Sequence, residues 1–314
     1  MEKRKIGSLS VSTVGVGCNN FGMRIDETRT REVIDAAVNA GVNFFDTADT
    51  YANGRSEELI GRFLGGRRSE VAIASKFGLE VPGQGKGARP EYVRRAFEAS
   101  LKRLRTDYID LYQQHVPDPE VPIAETLGAL NELVKSGQVR EIGCSNFSAE
   151  QLREAEAVAT KSGLTRFVSV QNEYSLLDRE PEAGVLSECE REGLAFLPFF
   201  PLKSGLLTGK YRKGQPIPEG TRVAKYDRYR QLLTEENLDK VERLIDYAES
   251  RGHTVLELAI SWLLAHRPVA SVIAGASSAQ QVHANVGAAN WRLGETELEE
   301  IDALLSSETR KATV

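Results

Sequence analysis

The chain has 314 residues, 41% of them apolar, and a formal net charge of −5 at neutral pH. That length and apolar share suffice for a large buried core, and the even alternation of strand-like and helix-like segments argues for a single domain over residues 1–314. The acidic balance and scattered Lys and Arg give no basic stripe to follow a phosphate backbone, so the expected partner is a small molecule and not nucleic acid.

No apolar run approaches the ~18 residues of a membrane span, and MEKRKIG at the start lacks a signal-peptide h-region. A soluble, cytoplasmic protein with no membrane partner is expected. Cys18, Cys144 and Cys189 are odd in number and widely spaced, which suits neither a disulfide framework nor a zinc site. They read as buried, reduced thiols.

In chain order, KRKIGSLSVSTVGVG predicts a small β-hairpin around Gly7 and then a first strand over Val14 to Gly17. Val33, Ala36, Ala37 and Ala40 fall on one helical face, which Gly41 stops from the C′ position. Strand Val42 to Asp46, helix Ser56 to Leu64, strand Val71 to Lys76 and a helix after Pro90 come next, the last with a Val93, Ala96, Phe97, Leu101, Leu104 stripe. Beyond them lie strand Tyr108 to Gln113 with helix Ile123 to Val134, and strand Val139 to Cys144 with helix Ser148 to Thr160. Strand Phe167 to Gln171 with a helix near Pro181 to Arg191, strand Ala195 to Phe199, and strand Ala270 to Ala274 with a helix from Ala279 complete the series.

Eight strand-helix units in this length predict an α/β fold, a (β/α)₈ TIM barrel with an N-terminal β-hairpin, long loops at the carboxyl-terminal face and an extra C-terminal helix. The surplus lies in the loop Gly78 to Arg89, the polar segment Lys203 to Thr234, an extra helix within Glu236 to Arg267, and a last helix Glu295 to Leu305. A doubly wound open sheet is the rival arrangement.

In a barrel, polar residues at the carboxyl ends of strands converge. FFDTADTY places Asp46 at a strand end and Tyr51 five residues on, and Lys76 closes VAIASK. A phenol, with a pKa of ~10, needs a nearby cation to exchange protons at neutral pH. Lys76 is the candidate cation and Asp46 its partner. The ordinary readings are a loop tyrosine and a lysine that snorkels to solvent. Asp49 competes with Asp46 but reads as a turn residue beyond the strand. His115, in QQHVPDP, is the candidate donor to a carbonyl oxygen, with a structural histidine as the alternative. His253, His266 and His283 fall in helical stretches without metal-ligand spacing.

Two glycine-rich pieces mislead. GVGCNNFG has Asn20 where a dinucleotide fingerprint needs its third glycine, and GLLTGKY has too short a spacer and Tyr211 in place of Ser or Thr for a P-loop. The second could still offer backbone amides to a phosphate.

With Asp46, Tyr51, Lys76 and His115 in this order, the chain resembles the aldo-keto reductase superfamily. The likeness runs through FFDTADTYANGRSEELIG, ASKFG, YIDLYQQHVPD, GQVREIGCSNFS, VSVQNEYSLL, LPFFPLKSGLLTGKY and VIAGASSAQQVHANVGAAN. It implies reduction of an aldehyde or ketone by NADPH, with Tyr51 as general acid, Lys76 and Asp46 as its tuning pair, and His115 orienting the carbonyl. By the same resemblance Asp46, Ser145, Asn146 and Gln171 line the nicotinamide, Phe199 stacks on it, and Leu202, Ser204 and Lys210 belong to the pyrophosphate side. Arg222, Gly275, Ser277, Gln281 and Asn285 match the adenosine end, and Asn19 joins Tyr51 and His115 at the substrate.

Two departures stand out: Gln281 replaces a frequent arginine for the 2′-phosphate, and Ala284 a frequent acid at the adenine. NADPH is still the expected cofactor, with NADH the alternative. Cys18 and Asn19 stand where tryptophan is common, which points to a more polar mouth for small aldehydes, dicarbonyls or sugars. A slow NADPH-binding regulatory subunit and a Schiff-base aldolase using Lys76 are the competing functions.

Overall fold

The computed structural model of the chain describes residues 1–306. Strands β1 (Lys3–Ile6) and β2 (Leu9–Ser12) form the expected antiparallel hairpin. Its turn is built on Gly7 at φ +54°, where a Cβ would stand 2.6 Å from the Glu141 carboxylate; that carboxylate accepts a hydrogen bond from the Ser8 amide at 2.6 Å. Ile6, Leu9 and Val11 pack with Phe44, Ala72, Ala74, Leu111, Ala195, Leu197 and Ile273 in one apolar cluster. The hairpin therefore plugs the amino-terminal end of the barrel.

The main chain then alternates as β3 (Val14–Gly17), α1 (Glu27–Asn39), β4 (Phe44–Asp46), α2 (Arg55–Leu64), β5 (Ala72–Phe77), α3 (Pro90–Leu104) and β6 (Ile109–Gln114). It continues as α4 (Ile123–Lys135), β7 (Val139–Ser145), α5 (Ala149–Ser162), β8 (Ser169–Glu173), α6 (Val185–Glu192) and β9 (Ala195–Phe199). Strand β10 (Val272–Gly275) returns beside β3, and all these pairings are parallel. A bridge from Phe196 to Val269 closes the ring, so the barrel forms and the open-sheet alternative does not.

Local signals explain most boundaries. Asp26 caps α1 by accepting the Arg29 amide, and Gly41 ends it at φ +83° as expected. Pro90 opens α3, and Ser148 with Gln151 makes a capping box for α5. Strand ends differ from the sequence reading by one or two residues. β4 begins at Phe44 and β8 at Ser169, while β7, β8 and β10 run on to Ser145, Glu173 and Gly275. Pairing with a neighbour, not residue type, sets those ends.

The segment after β9 departs more. It holds a 3₁₀ stretch, Lys203–Thr208, and two short helices, α7 (Arg222–Lys225) and α8 (Asp227–Arg230). The region expected to hold one extra helix contains two, α9 (Glu235–Glu249) and α10 (Val255–Ala265). Gly252 at φ +75° and a Thr254–Glu257 capping box divide them. His253 therefore sits in the break, not in a helix, stacked on Trp291 at 4.1 Å. Helix α10, with Leu258, Ala259, Ile260, Trp262 and Leu263 all buried, is the crossover into β10. Helices α11 (Ala279–Gly287) and α12 (Glu295–Ser306) complete the described chain. Cys18, Cys144 and Cys189 are buried and free, and among the described residues no helix is long and apolar enough to cross a membrane.

Candidate active site

Side chains two residues apart on a strand share a face. The apolar cluster above the hairpin takes Phe44, Ala72, Ala74, Leu111, Ala195 and Leu197 from the inner face. Continuing the same alternation brings Asp46, Lys76, Gln113 and Phe199 to the next inner layer, at the carboxyl rim, and Gln171 joins them two residues beyond Ser169.

In that layer Lys76 is fully buried and donates to Asp46 Oδ2 at 2.7 Å, to the Thr47 carbonyl at 2.8 Å and to the Tyr51 hydroxyl at 3.5 Å. The other carboxylate oxygen, Asp46 Oδ1, accepts from Gln171 Nε2 at 2.8 Å and Gln113 Nε2 at 3.4 Å. Burial pulls the ammonium pKa down, but Asp46, then Tyr51, outweigh it and hold Lys76 above its usual value. A lysine whose charged form is favoured in this way is a poor Schiff-base nucleophile.

Tyr51 comes after β4 at the start of a turn in which Ala52, Asn53 and Gly54 all take positive φ, at 51°, 54° and 87°. Such backbone is strained for alanine and survives where the surroundings fix it. Burial raises the phenol pKa; Lys76 is the largest opposing influence, and the net direction is upward. Lys76 thus moderates the acid and does not by itself bring it to neutral pH. His115, just past β6, meets the Tyr51 ring edge-on at 6.0 Å. Its pKa is lowered to about 3 by burial and by Lys76, so the imidazole is neutral, and its buried Nδ1 has no partner among the described residues.

The next strands extend this network. Asn146, at φ +61°, donates to the His115 carbonyl at 3.0 Å and to Ser145 Oγ at 3.1 Å, and Ser145 donates to the Gln171 carbonyl at 2.7 Å. Phe199 ends β9 against Phe200, and Leu202 is half-buried. Phe200, Lys203, Ser204 and Gly205 all have positive φ, and Lys203 anchors this strained loop to Glu173 at 2.7 Å and Asp178 at 2.5 Å. Lys210 folds back over Gly205, and its pKa is lowered by burial and by Arg222.

Arg222 reaches across to Asn20 Oδ1 at 3.5 Å, and Asn20 and Asn19 border Gly275 at the end of β10. Asn19 thus faces the β10 end, and no hydrogen bond joins it to Tyr51 or His115 among the described residues. The Ser277 amide and hydroxyl both donate to Gln281 Oε1, at 2.8 and 3.1 Å, and Asn285 is buried on α11. The sequence candidates Asp46, Lys76, Tyr51, His115 and Gln171 thus lie in one contiguous cluster, with a separate cationic group around Lys210 and Arg222.

Two site residues escaped the sequence reading. Gln113 was legible from its spacing to Leu111. Asp49, read as a turn residue, is instead 1% exposed, with neither carboxylate oxygen hydrogen-bonded among the described residues. Burial first, then Glu57, raises its pKa to about 7, against the pull of Arg103, of the nearby Thr50 amide, which falls short of a well-formed hydrogen bond, and of Lys76. The folded state therefore holds this proton more tightly than the unfolded chain, and stability falls as pH rises from near 4 through about 7. A shift of that size is worth roughly 4 kcal/mol, of which an unbonded buried amide would take back about 1–3. Asp49→Asn should consequently exceed wild type in urea-denaturation stability at pH 8.5 and lose that advantage at pH 4. Equal stability at both would show that Asp49 ionises freely.

The chain matches the Aldo/keto reductase family across residues 13–306. Among curated relatives, a probable voltage-gated potassium channel subunit beta of Arabidopsis thaliana is 37% identical, covering 92% of this chain and 91% of that one. Aldo-keto reductase yakc [NADP(+)] of Schizosaccharomyces pombe is 35% identical over 95% of this chain and 89% of its own. Protein tas of Escherichia coli is 33% identical over 95% of each. The protein is thus a member of the aldo/keto reductase family. It is accordingly an oxidoreductase of carbonyl groups that works with a nicotinamide cofactor.

Proposed function

We propose that this enzyme reduces small aldehydes or ketones to alcohols with NADPH, Tyr51 serving as general acid. The observation that carries the reading is Lys76, buried, charged, and hydrogen-bonded to both Asp46 and Tyr51. When bound, the reduced nicotinamide supplies the hydride. The substrate carbonyl oxygen sits between the Tyr51 hydroxyl and a neutral His115, which donates through Nε2. As negative charge grows on that oxygen, Tyr51 passes its proton to it and Lys76 stabilises the phenolate left behind. Asp46, already bonded by Gln171 and Gln113, keeps Lys76 in place without taking its proton.

The residues present suit such a cofactor. Lys210 stands close enough to Arg222 for that guanidinium to disfavour its charge, Arg24 acts likewise on Arg222, and neither Lys210 nor Arg222 has a carboxylate within ion-pairing distance among the described residues. Two uncompensated cations beside a loop rich in positive φ fit a phosphate-bearing ligand. Ser145, Asn146 and Gln171 would hold the carboxamide, and Phe199 would stack without a hydroxyl. Leu202 and Ser204 would border the pyrophosphate, and Gly275, Ser277, Gln281 and Asn285 the adenosine.

Gln281 spends its oxygen on Ser277, which leaves the 2′-phosphate to the cations. Lys210→Met and Arg222→Leu should each raise the Kd for NADPH on the order of tenfold, about 1.5 kcal/mol, and leave that for NADH nearly unchanged. Fluorescence titration checks this, and equal weakening of both cofactors would refute the phosphate assignment. The second reading, a slow NADPH-binding regulatory subunit, draws on the names of the plant relatives. Turnover of a carbonyl panel at rates above roughly 1 s⁻¹ favours the enzyme.

A further inference from the structure

Arg24, on the loop between β3 and α1, has no role in the proposed reaction. Its guanidinium donates to the Tyr229 hydroxyl at 2.8 Å, 205 positions along the chain, and lies 5.3 Å and 5.5 Å from the rings of Tyr229 and Tyr226. It also approaches Asn20 Oδ1 at 3.5 Å, the same oxygen that Arg222 reaches at 3.5 Å. Arg222 and Arg228 add their own guanidinium groups to the Tyr229 ring at 5.3 Å and 4.7 Å. Among the described residues, no carboxylate pairs with any of Arg24, Lys210, Arg222 or Arg228.

The potential here is strongly positive. Burial lowers the Arg222 pKa and Arg24 lowers it further. Burial would raise the Tyr229 phenol, yet the Arg24 hydrogen bond and the surrounding guanidinium charges hold it below its usual value. Tyr211, whose ring lies 5.1 Å from the Lys210 ammonium, is 3% exposed, and its hydroxyl has no partner among the described residues. Like charges gathered without an acid oppose one another, and an anion placed among them removes that opposition.

We propose that Arg24 is a cofactor-binding residue that grips a phosphate of the dinucleotide together with Arg222 and Lys210, its bond to Tyr229 tying the first βα loop to the segment after β9. This rests on the reductase reading, because the phosphate in question belongs to its cofactor. Asn20 sets the geometry: its oxygen receives both guanidinium groups, and its amide donates to the Ala276 carbonyl at 3.3 Å, one residue before Ser277. The cations therefore border the end of β10, where the adenosine half would lie.

The test titrates NADPH and NADH into wild type, Arg24→Met, Arg24→Gln and Tyr229→Phe, each checked for native circular dichroism. Arg24→Gln can still donate to Tyr229 but carries no charge. Both Arg24 variants should raise the Kd for NADPH about tenfold, whereas Tyr229→Phe, which keeps the cation, should raise it no more than about threefold. A loss confined to NADPH assigns Arg24 to the 2′-phosphate, and an equal loss for NADH assigns it to the pyrophosphate. Native-like Arg24→Gln with wild-type Kd for both cofactors overturns the inference. So does Tyr229→Phe as damaging as Arg24→Gln, which would reduce Arg24 to a tie between loops. A wild type that binds neither cofactor overturns the reductase reading itself, a failure distinct from any result on Arg24.

Discussion

Replacing Lys76 by methionine should lower stability by about 3–5 kcal/mol, because it leaves Asp46 charged and buried with only neutral amide donors. Gln171 and Gln113 remain to bond its Oδ1, but Oδ2 loses its partner. The chemistry should change as well. Tyr51 is already held above its usual pKa by burial, with Lys76 the main opposing influence, so removing that cation raises the phenol further. Alcohol oxidation needs the phenolate, and the rise of kcat/KM with pH should move to higher pH in Lys76→Met. Reduction should slow because a weaker acid delivers the proton. The double variant Lys76→Met with Asp46→Asn removes the orphaned charge and should recover much of the stability without activity, which separates folding from catalysis. An unmoved pH profile, or a carbonyl substrate fixed on wild-type Lys76 by borohydride, would return the aldolase reading.

Tyr51→Phe should cut carbonyl reduction by about 10²–10⁴-fold, the usual worth of a positioned general acid. The stability cost should be small. The bond from Lys76 to the Tyr51 hydroxyl is long at 3.5 Å, and Lys76 keeps Asp46 and the Thr47 carbonyl. Cofactor Kd should stay within about twofold, since no proposed cofactor contact uses the phenol. A variant that retains wild-type kcat removes Tyr51 from the mechanism, and one that loses cofactor binding assigns it a different role.

Much of the barrel was legible because β4 to β8 are mostly apolar runs closed by polar residues, and the helices carry their own signals, a stop at Gly41 and starts at Pro90 and Ser148. Period-two alternation even ranks the layers, Phe44 below Asp46 and Ala74 below Lys76. What was not legible depends on contacts distant in sequence. Gly252 reads as a tolerable helical glycine until the Thr254 and Glu257 capping box divides α9 from α10. Asp49 has a turn residue's neighbours, and only the packing of α2, α3 and β5 around it reveals a buried acid. Arg24 is an ordinary loop arginine in sequence, and its place beside Arg222 and Tyr229 exists only because the segment after β9 folds back across the rim. Asn19 was placed at the substrate by resemblance alone, and its nearness to Gly275 comes from the fold and not from any local signal.

In the proposed reaction this site moves a hydride from a reduced nicotinamide to a carbonyl carbon while Tyr51 supplies the proton. Its most direct test traces deuterium from NADPH that carries deuterium at both nicotinamide C4 positions into the alcohol formed by wild type and by Tyr51→Phe, with small aldehydes and ketones as substrates. The wild-type product should carry one transferred deuterium on its carbinol carbon, and Tyr51→Phe should form almost no product despite bound cofactor. Labelled NADPH that is bound but never consumed in the presence of any carbonyl, or equal labelled product from both proteins, would contradict this reaction.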